Sequence, residues 1–278
     1  MITSDADLRL FLPNSVITVG LETPLFDKLA PFLRAAEDTI ARSVVSPPIL
    51  EAVARAEPEL MHLRQFLRPL VAIRAFCDAV PSLDIILTPN GFGVVSNSNV
   101  VPASESRVRA LRDSLLLRID QLTEQTVDAL RPYAPWRDSP QGRLWGSVLP
   151  LQLRTVRRLR PDHHGPLLEA YEDLRPQIRD MEDRLADRWI SPELLEELRR
   201  HNLARSPSDR QSYVIAAFSA AVIDALRTGT PDERRLAQIV DDIRRDPATF
   251  HRWHNSRTAR LFSPPVFRNN PLSGGYFF

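Results

Sequence analysis

Apolar residues recur every three or four positions along much of this chain, and that period predicts amphipathic α-helices. Two apolar stripes stand out, Leu29, Leu33, Ala36, Ile40 and Val44 in the first half and Leu174, Ile178, Met181, Leu185 and Trp189 in the second. A further stripe consists of Val108, Leu111, Leu115, Ile119 and Leu122. We assign it to a helix over 104–130 capped by Ser104, since serine is a favoured N-cap residue. More apolar helices are predicted at 64–80 and 210–226.

The helical pattern occurs twice. Residues 29–55 align without gaps on residues 174–200, and 11 of the 27 positions are identical. A weaker match continues from 64–80 to 210–226. In both halves a Ser-Pro pair follows the first helix, which predicts a serine N-cap with proline in the first helical turn. We therefore predict an all-α fold of two duplicated small helical bundles.

The boundary between the two bundles is predicted near residue 140. Residues 131–147 are rich in proline and glycine, which is typical of a linker. The first domain is then 1–138, with a hairpin loop at 84–103. The second is 139–278, with an extended tail at 261–278.

The loop "IILTPNGFGVV" interrupts the helical pattern of the first half. Asn90-Gly91 lies between two apolar runs, a strong short-range signal for a β-hairpin. Such a hairpin could pair with a neighbouring subunit or partner by strand addition. It could equally fold over its own bundle, and the sequence leaves both interpretations open.

The C-terminal segment also departs from the helical pattern. Pro264-Pro265 and Gly274-Gly275 exclude regular helix, and the segment is rich in aromatic residues. It either packs on its own bundles or reaches into an adjacent subunit. The predicted interface residues of loop and tail are Asn90, Gly91, Phe92, Gly93, Val94, Val95, Phe262, Phe267, Tyr276, Phe277 and Phe278.

Charge and composition exclude several classes of function. The 36 basic and 35 acidic residues leave a formal charge of +1, so there is no global attraction to nucleic acid or an anionic membrane. No run approaches the roughly 18 apolar residues of a spanning helix. The single cysteine, Cys77, lies in an apolar helical run, and we expect it to be buried and inert.

Candidate chemistry is sparse. Asp162-His163-His164 resembles a metal-binding triplet but precedes Gly-Pro in a predicted loop, and His251 and His254 share one helical face. No Walker loop, dinucleotide fingerprint or hydrolase elbow is present. We predict no catalytic, cofactor-binding or metal-binding residues. The alternative is a metal-dependent hydrolase that uses His163, His164, His251 and His254.

Three stretches carry a resemblance to a known family: "LDIILTPNGFGVVSNSNVVPASESRV", "ISPELLEELRR" and "FSPPVFRNNPLSGGYFF". They resemble an uncharacterised family encoded in the structural-gene modules of tailed phages and prophages of Bacteroides-type bacteria. By architecture, the resemblance implies small helical head–tail connector proteins, which form rings.

The favoured hypothesis is therefore a non-enzymatic virion structural protein, a ring-forming connector or adaptor. Its expected partners are further copies of itself, the portal, and tail or other connector proteins, with DNA only passing through the channel. Its expected location is the virion, and the host cytoplasm during assembly. Besides the hydrolase, a DNA-packaging accessory protein is a second alternative.

Overall fold

A computed structural model describes residues 1–12, 24–83, 85–88, 91–94 and 104–263, and in these ranges the chain is predominantly helical. The chain divides into two compact units. Unit one comprises Met1–Pro176 and Leu203–Ser206, and unit two comprises Gln177–Asn202 and Pro207–Phe278.

Unit one is built around the helix Arg64–Ala79, which buries nine of its residues and packs against the helices Leu25–Ile40 and Glu105–Leu130. Its elements are α1 Asp5–Phe11, α2 Leu25–Ile40, a π-helix Ala41–Val45, α3 Pro47–Ala54, a 3-10 helix Pro58–Leu63, α4 Arg64–Ala79, a 3-10 helix Val80–Ser82, β1 Ile85–Thr88, β2 Gly91–Val94, α5 Glu105–Leu130, α6 Ala134–Arg137, α7 Pro140–Trp145, α8 Arg154–Leu159 and the start of α9 Leu167–Leu185.

Unit two contains the rest of α9 and the helices that follow it. These are a π-helix Ala186–Ile190, α10 Pro192–Leu203, α11 Asp209–Thr228, α12 Glu233–Arg244, α13 His251–His254 and α14 Arg257–Leu261. The longest of them, α11, begins at a capping box: Ser208 accepts from the Gln211 amide while the Gln211 side chain accepts from the Ser208 amide.

The predicted apolar stripes mark the core well. All five members of the first stripe are buried, as are Leu174, Ile178 and Leu185 of the second, whereas Met181 and Trp189 are partly exposed. The prediction for Cys77 is confirmed as to burial, and burial raises the pKa of its thiol, which keeps the thiolate scarce.

Two serine caps differ from the prediction. α5 does begin directly after Ser104, but the Ser104 hydroxyl makes no capping bond and lies 3.1 Å from the Ser106 hydroxyl instead. Ser191 accepts from the Leu194 amide at 3.2 Å, while the aligned Ser46 makes no such bond. Both Ser46 and Ser191 have positive φ, 99° and 69°, which reorients the chain between π-helix and α-helix.

The segment 131–147 is not an exposed linker. It forms α6 and α7 and buries Trp136 and Trp145 completely. The proline and glycine that suggested a linker instead start short helices and permit close packing: a Cβ added to Gly142 would overlap the Trp136 carbonyl group. This segment is therefore part of the core of unit one.

β1 and β2 pair antiparallel, with Ile85 opposite Val94 and Thr88 opposite Gly91. Residues 89 and 90, where the turn was predicted, lie outside the described residues, as do 95–103 and the tail from 264 onward.

Candidate functional site

The first turns of α5 form an exposed, apolar and arginine-rich surface, which we call the α5 arm (residues 105–114). Every residue of the arm is exposed, including Val108 and Leu111, although both belong to the predicted apolar stripe. The first buried residue of α5 is Leu116, and the stripe itself is buried from Ile119 onward. At 1.5 Å per residue the arm is about 15 Å long. Its apolar positions are therefore available for contacts beyond the core of unit one.

Basic side chains surround these apolar positions. The arginines of the arm and of the turn that follows are Arg107, Arg109, Arg112 and Arg118. Arg109 pairs with Glu105 at 2.6 Å, but both side chains are well exposed, so the pair contributes little to stability. The arm thus offers apolar contact together with guanidinium groups.

A pocket of about 400 Å³ with both polar and apolar lining residues lies at the base of the arm. It is lined by Asp113, Leu116, Leu117, Asp120, Arg157, Pro161, His163, His164, Gly165 and Leu167. One wall is α5, and the others come from α8 and the loop that leads into α9. All of these residues belong to unit one.

Asp120 is the most constrained group in this pocket. Its side chain is only 9% exposed, its Oδ1 accepts from the Leu167 amide at 3.3 Å, and its Oδ2 lies 3.6 Å from Arg157 Nη2. Asp120 therefore fastens the start of α9 to α5. The sequence signal was an acidic residue next to Ile119 on the buried face of an amphipathic helix, and sequence reasoning overlooked it.

Burial raises the pKa of Asp120 to about 6. The Leu167 amide and Arg157 lower this pKa, while the nearby charge of Glu124 raises it. The carboxyl group can thus hold or release a proton close to neutral pH. A raised pKa of this kind arises in structural as well as in catalytic sites.

The four histidines of the hydrolase alternative are distributed over both units. His163 and His164 line the pocket, and His163 Nε2 lies 3.2 Å from the Pro166 carbonyl oxygen. His251 and His254 belong to α13 of unit two, where the His254 ring meets Trp253 edge-on at 5.1 Å. Within the described part of the chain, no three His, Cys, Asp or Glu side chains are grouped so as to hold a metal ion.

The predicted interface residues are described only in part. Gly91, Phe92, Gly93 and Val94 form β2. Phe262 contacts two tryptophans of unit two, with ring centroids 5.8 Å from Trp189 and 6.1 Å from Trp253. The remaining predicted positions, Asn90, Val95, Phe267, Tyr276, Phe277 and Phe278, lie outside the described residues.

Each unit contains a π-helix whose carbonyl groups are bound by a tryptophan. Trp136 Nε1 donates to the Val44 carbonyl at 2.8 Å, and Trp253 Nε1 donates to the Trp189 carbonyl at 2.9 Å. Val44 and Trp189 occupy the same position of the aligned repeat. A π-turn shifts the backbone hydrogen-bond pattern, and these donors satisfy carbonyl groups next to the irregular turn.

The sequence around the two tryptophans is also related. Residues 136–145, "WRDSPQGRLW", correspond to residues 253–262, "WHNSRTARLF". In both segments a serine three positions after the tryptophan bonds back to the tryptophan carbonyl at 2.6 Å. Next to it, Gln141 donates to the Arg42 carbonyl and Thr258 donates to the aligned Asp187 carbonyl, both at 3.2 Å. We call these segments the tryptophan caps. Sequence reasoning missed this second repeat although the W-x-x-S-x-x-x-R-L pattern was visible.

Unit two also holds a buried charged cluster. Arg199 donates to Glu182 and Asp183, both at 2.9 Å, and to Glu196 at 2.7 Å. These carboxylates raise the pKa of Arg199 against the opposing effect of burial, so the guanidinium stays charged. The cluster joins α9 to α10 within unit two. Its geometry indicates a structural role.

Over residues 18–144 the chain is similar to a family whose description reads "Family of unknown function (DUF6712)". This match spans less than half of the chain. Neither the comparison with curated proteins nor that with solved structures found a match. No helix in the described ranges is long and apolar enough to cross a membrane.

Proposed function

We propose that this protein is a virion structural protein that assembles into a ring, as a head–tail connector or adaptor of a tailed phage or prophage. The observation that carries the proposal is the α5 arm. Val108 and Leu111 are 36% and 45% exposed on a helix that continues into the core of unit one, so both are available to a second chain. A subunit of an assembly must offer such contacts to its neighbours. The proposed location is accordingly the virion, and the host cytoplasm during assembly.

The proposed mechanism is packing without chemistry. The arm supplies apolar anchors, and its arginines supply pairing with the acidic side chains of a partner. The strand pair just before the arm, together with the tail, adds further contacts to neighbouring copies, the portal or tail proteins. The predicted hairpin and tail residues act here as interface residues, and DNA only passes through the channel.

We propose further that the two repeats derive from one duplicated bundle. Support comes from the order of elements: helix, five-residue π-helix, positive-φ serine and Pro-initiated helix occur at 25–54 and again at 167–203. The two tryptophan caps add a second correspondence near the end of each copy. A duplicated chain can present two related surfaces, one to each neighbour in a ring.

The test is assembly with matched surface variants. Leu111→Glu places a charge on the arm at a leucine that is 45% exposed, and Leu10→Glu makes the same change on α1 at a leucine that is 69% exposed. We expect native mass spectrometry to show a multimer for the wild type and for Leu10→Glu. Leu111→Glu should weaken the multimer at least tenfold, with its helical circular dichroism unchanged. A wild type that stays monomeric at all concentrations and with its portal would contradict the proposal.

Two further readouts separate the alternatives. Stoichiometric zinc or manganese in purified protein would favour the hydrolase that uses His163, His164, His251 and His254. Steep salt-dependent binding to DNA would favour the packaging accessory protein, since neutralised phosphates release counterions.

A further inference from the structure

Trp145, the last residue of the tryptophan cap in unit one, is fully buried. Trp145 stacks on Tyr171 with ring centroids 5.2 Å apart and an interplanar angle of 24°. The Arg175 guanidinium lies over both rings, 5.9 Å from the Trp145 centroid and 5.3 Å from that of Tyr171. All three side chains are buried. Tyr171 and Arg175 belong to the first turns of α9, where the second repeat begins.

The equivalent residue in unit two has no such cover among the described residues. Phe262 aligns with Trp145 of unit one, and its ring contacts Trp189 and Trp253 of unit two. Phe262 and Trp189 are both partly exposed. Beside them Leu261 is 71% exposed. We call Trp189, Leu261 and Phe262 the aromatic end of unit two.

The repeat itself indicates what covers this end. In unit one the cover is the start of the next repeat's first helix. Among the described residues, the helix start at the equivalent repeat position is that of α2, and a neighbouring copy of the chain can supply it. The repeat alignment places Phe26, at the start of α2, where Tyr171 stands in α9. Phe26 is partly exposed, and the neighbouring Asp27 is exposed.

We propose that the aromatic end of unit two binds the first turns of α2, around Phe26, in a neighbouring copy of this chain. In this contact Phe262 of one chain meets Phe26 of another chain, in the way that Trp145 stacks on Tyr171 within a single chain. It is heterologous, because two different surfaces meet, and such contacts generate a ring when their rotation closes. The inference rests on the self-assembly in the proposed function and deepens it by naming the surfaces.

The contact differs from its counterpart in one respect. Ala30 aligns with Arg175, so no guanidinium covers the stacked rings in the contact between chains. The loss of that cation–π interaction makes the contact weaker than the buried stack in unit one. A reversible contact between copies is the expected consequence.

The test uses two aligned exposed leucines. Leu261→Arg places a charge on the aromatic end, and Leu144→Arg makes the same change at the aligned, 49% exposed position of unit one. Neither leucine is buried, so both variants should fold, which circular dichroism checks. We expect Leu261→Arg to weaken self-association at least tenfold and Leu144→Arg to leave it unchanged. Equal association of Leu261→Arg and the wild type would overturn the proposal.

Cross-linking identifies the partner surface. In a Cys77→Ala background, cysteines replace Leu261 and Asp27, and a bismaleimide links cysteines that lie close together. The expected product is a ladder of covalently joined chains, which the Leu144 and Asp27 pair should not give. A multimer that forms normally but yields no ladder would overturn the named surfaces while leaving the assembly proposal intact. A protein that never associates would overturn both.

The chain's own residues 264–278 are the competing occupant. If they cover the aromatic end, a cysteine at 261 will be protected from maleimide in dilute, monomeric protein, and removal of 264–278 will expose it. That result would overturn docking between copies. We expect instead rapid labelling of the monomer with or without these residues, and protection only in the multimer.

Discussion

Each of the two units contains a five-residue π-helix that a tryptophan stabilises, but the packing around the two π-helices differs. Each places a tryptophan against the π-helix carbonyl groups at nearly the same distance, 2.8 Å in unit one and 2.9 Å in unit two. Around that shared contact the packing differs. Unit two binds Glu182 with the buried Arg199, whereas the aligned positions in unit one are a partly exposed Glu37 and an exposed Ala54.

This comparison distinguishes the features that both units share from the features that only one unit has. The backbone irregularity and its tryptophan are common to both, so they are the conditions for the fold. Within the described residues the buried ion cluster belongs to unit two alone, where Arg199 binds a glutamate that is buried more deeply than its counterpart Glu37. Buried ion pairs of this kind add little net stability, but they are costly to break.

The largest expected effect is the loss of either tryptophan. Trp136→Ala and Trp253→Ala each remove a large, buried side chain and leave a carbonyl group without its donor. We expect each to lower the free energy of unfolding by about 3–5 kcal/mol. Urea unfolding followed by circular dichroism measures this. A much smaller cost for one of the two would show that the caps are not equivalent.

Breaking the buried ion cluster should affect unit two almost as strongly. Arg199→Met removes the buried guanidinium that binds Glu182, at an expected cost of about 3 kcal/mol. The double variant with Glu182→Gln should recover part of that loss. As a control, Ala54→Met at the aligned exposed position should change stability by less than about 0.5 kcal/mol. Equal effects at 54 and 199 would contradict the comparison.

The close approach in the cap of unit one gives a third prediction. Gly142→Ala would push a methyl group into the Trp136 carbonyl group, whereas the aligned position in unit two is already Ala259. We expect a loss of about 1–3 kcal/mol in unit one. Ala259→Gly should cost about 1 kcal/mol through helix propensity alone. A harmless Gly142→Ala would indicate that the two caps have the same spacing.

The smallest expected effect concerns Asp120 in unit one. Its pKa is raised to about 6, so the folded state binds this proton more tightly than the unfolded state does. Stability from this group is therefore greatest below the unfolded pKa, near 4, and decreases as the pH rises through about 6. Asp120→Asn removes that titration and should gain roughly 1 kcal/mol relative to the wild type between pH 5 and pH 7. Urea titrations at both pH values measure the difference, and an unchanged pH dependence would contradict it.

The sequence predicted the helices whose apolar period coincides with burial. Leu29 to Val44 is the clearest example, because the whole stripe faces the core. On α5 the same period continues into the exposed arm, since periodicity indicates which face is apolar and not whether anything covers it. Val108 and Leu111 are exposed for that reason.

Local hydrophobic patterns could not predict contacts between residues that are far apart in the sequence. The role of Trp136 depends on Val44, 92 positions earlier, and local proline and glycine gave the opposite impression of a linker. Asp120 depends on Leu167 in the same way. Comparing the two halves beyond the first repeat would have revealed the tryptophan caps, because their spacing is preserved in the sequence.

The most direct test of the proposed ring assembly is the mass of the particle that the protein forms with Leu261 intact and with Leu261→Arg. We expect a closed multimer of defined copy number for the wild type and for Leu144→Arg, and mostly monomers for Leu261→Arg at the same concentration. A wild type that remains monomeric, alone and with the proposed portal partner, would contradict assembly into a ring.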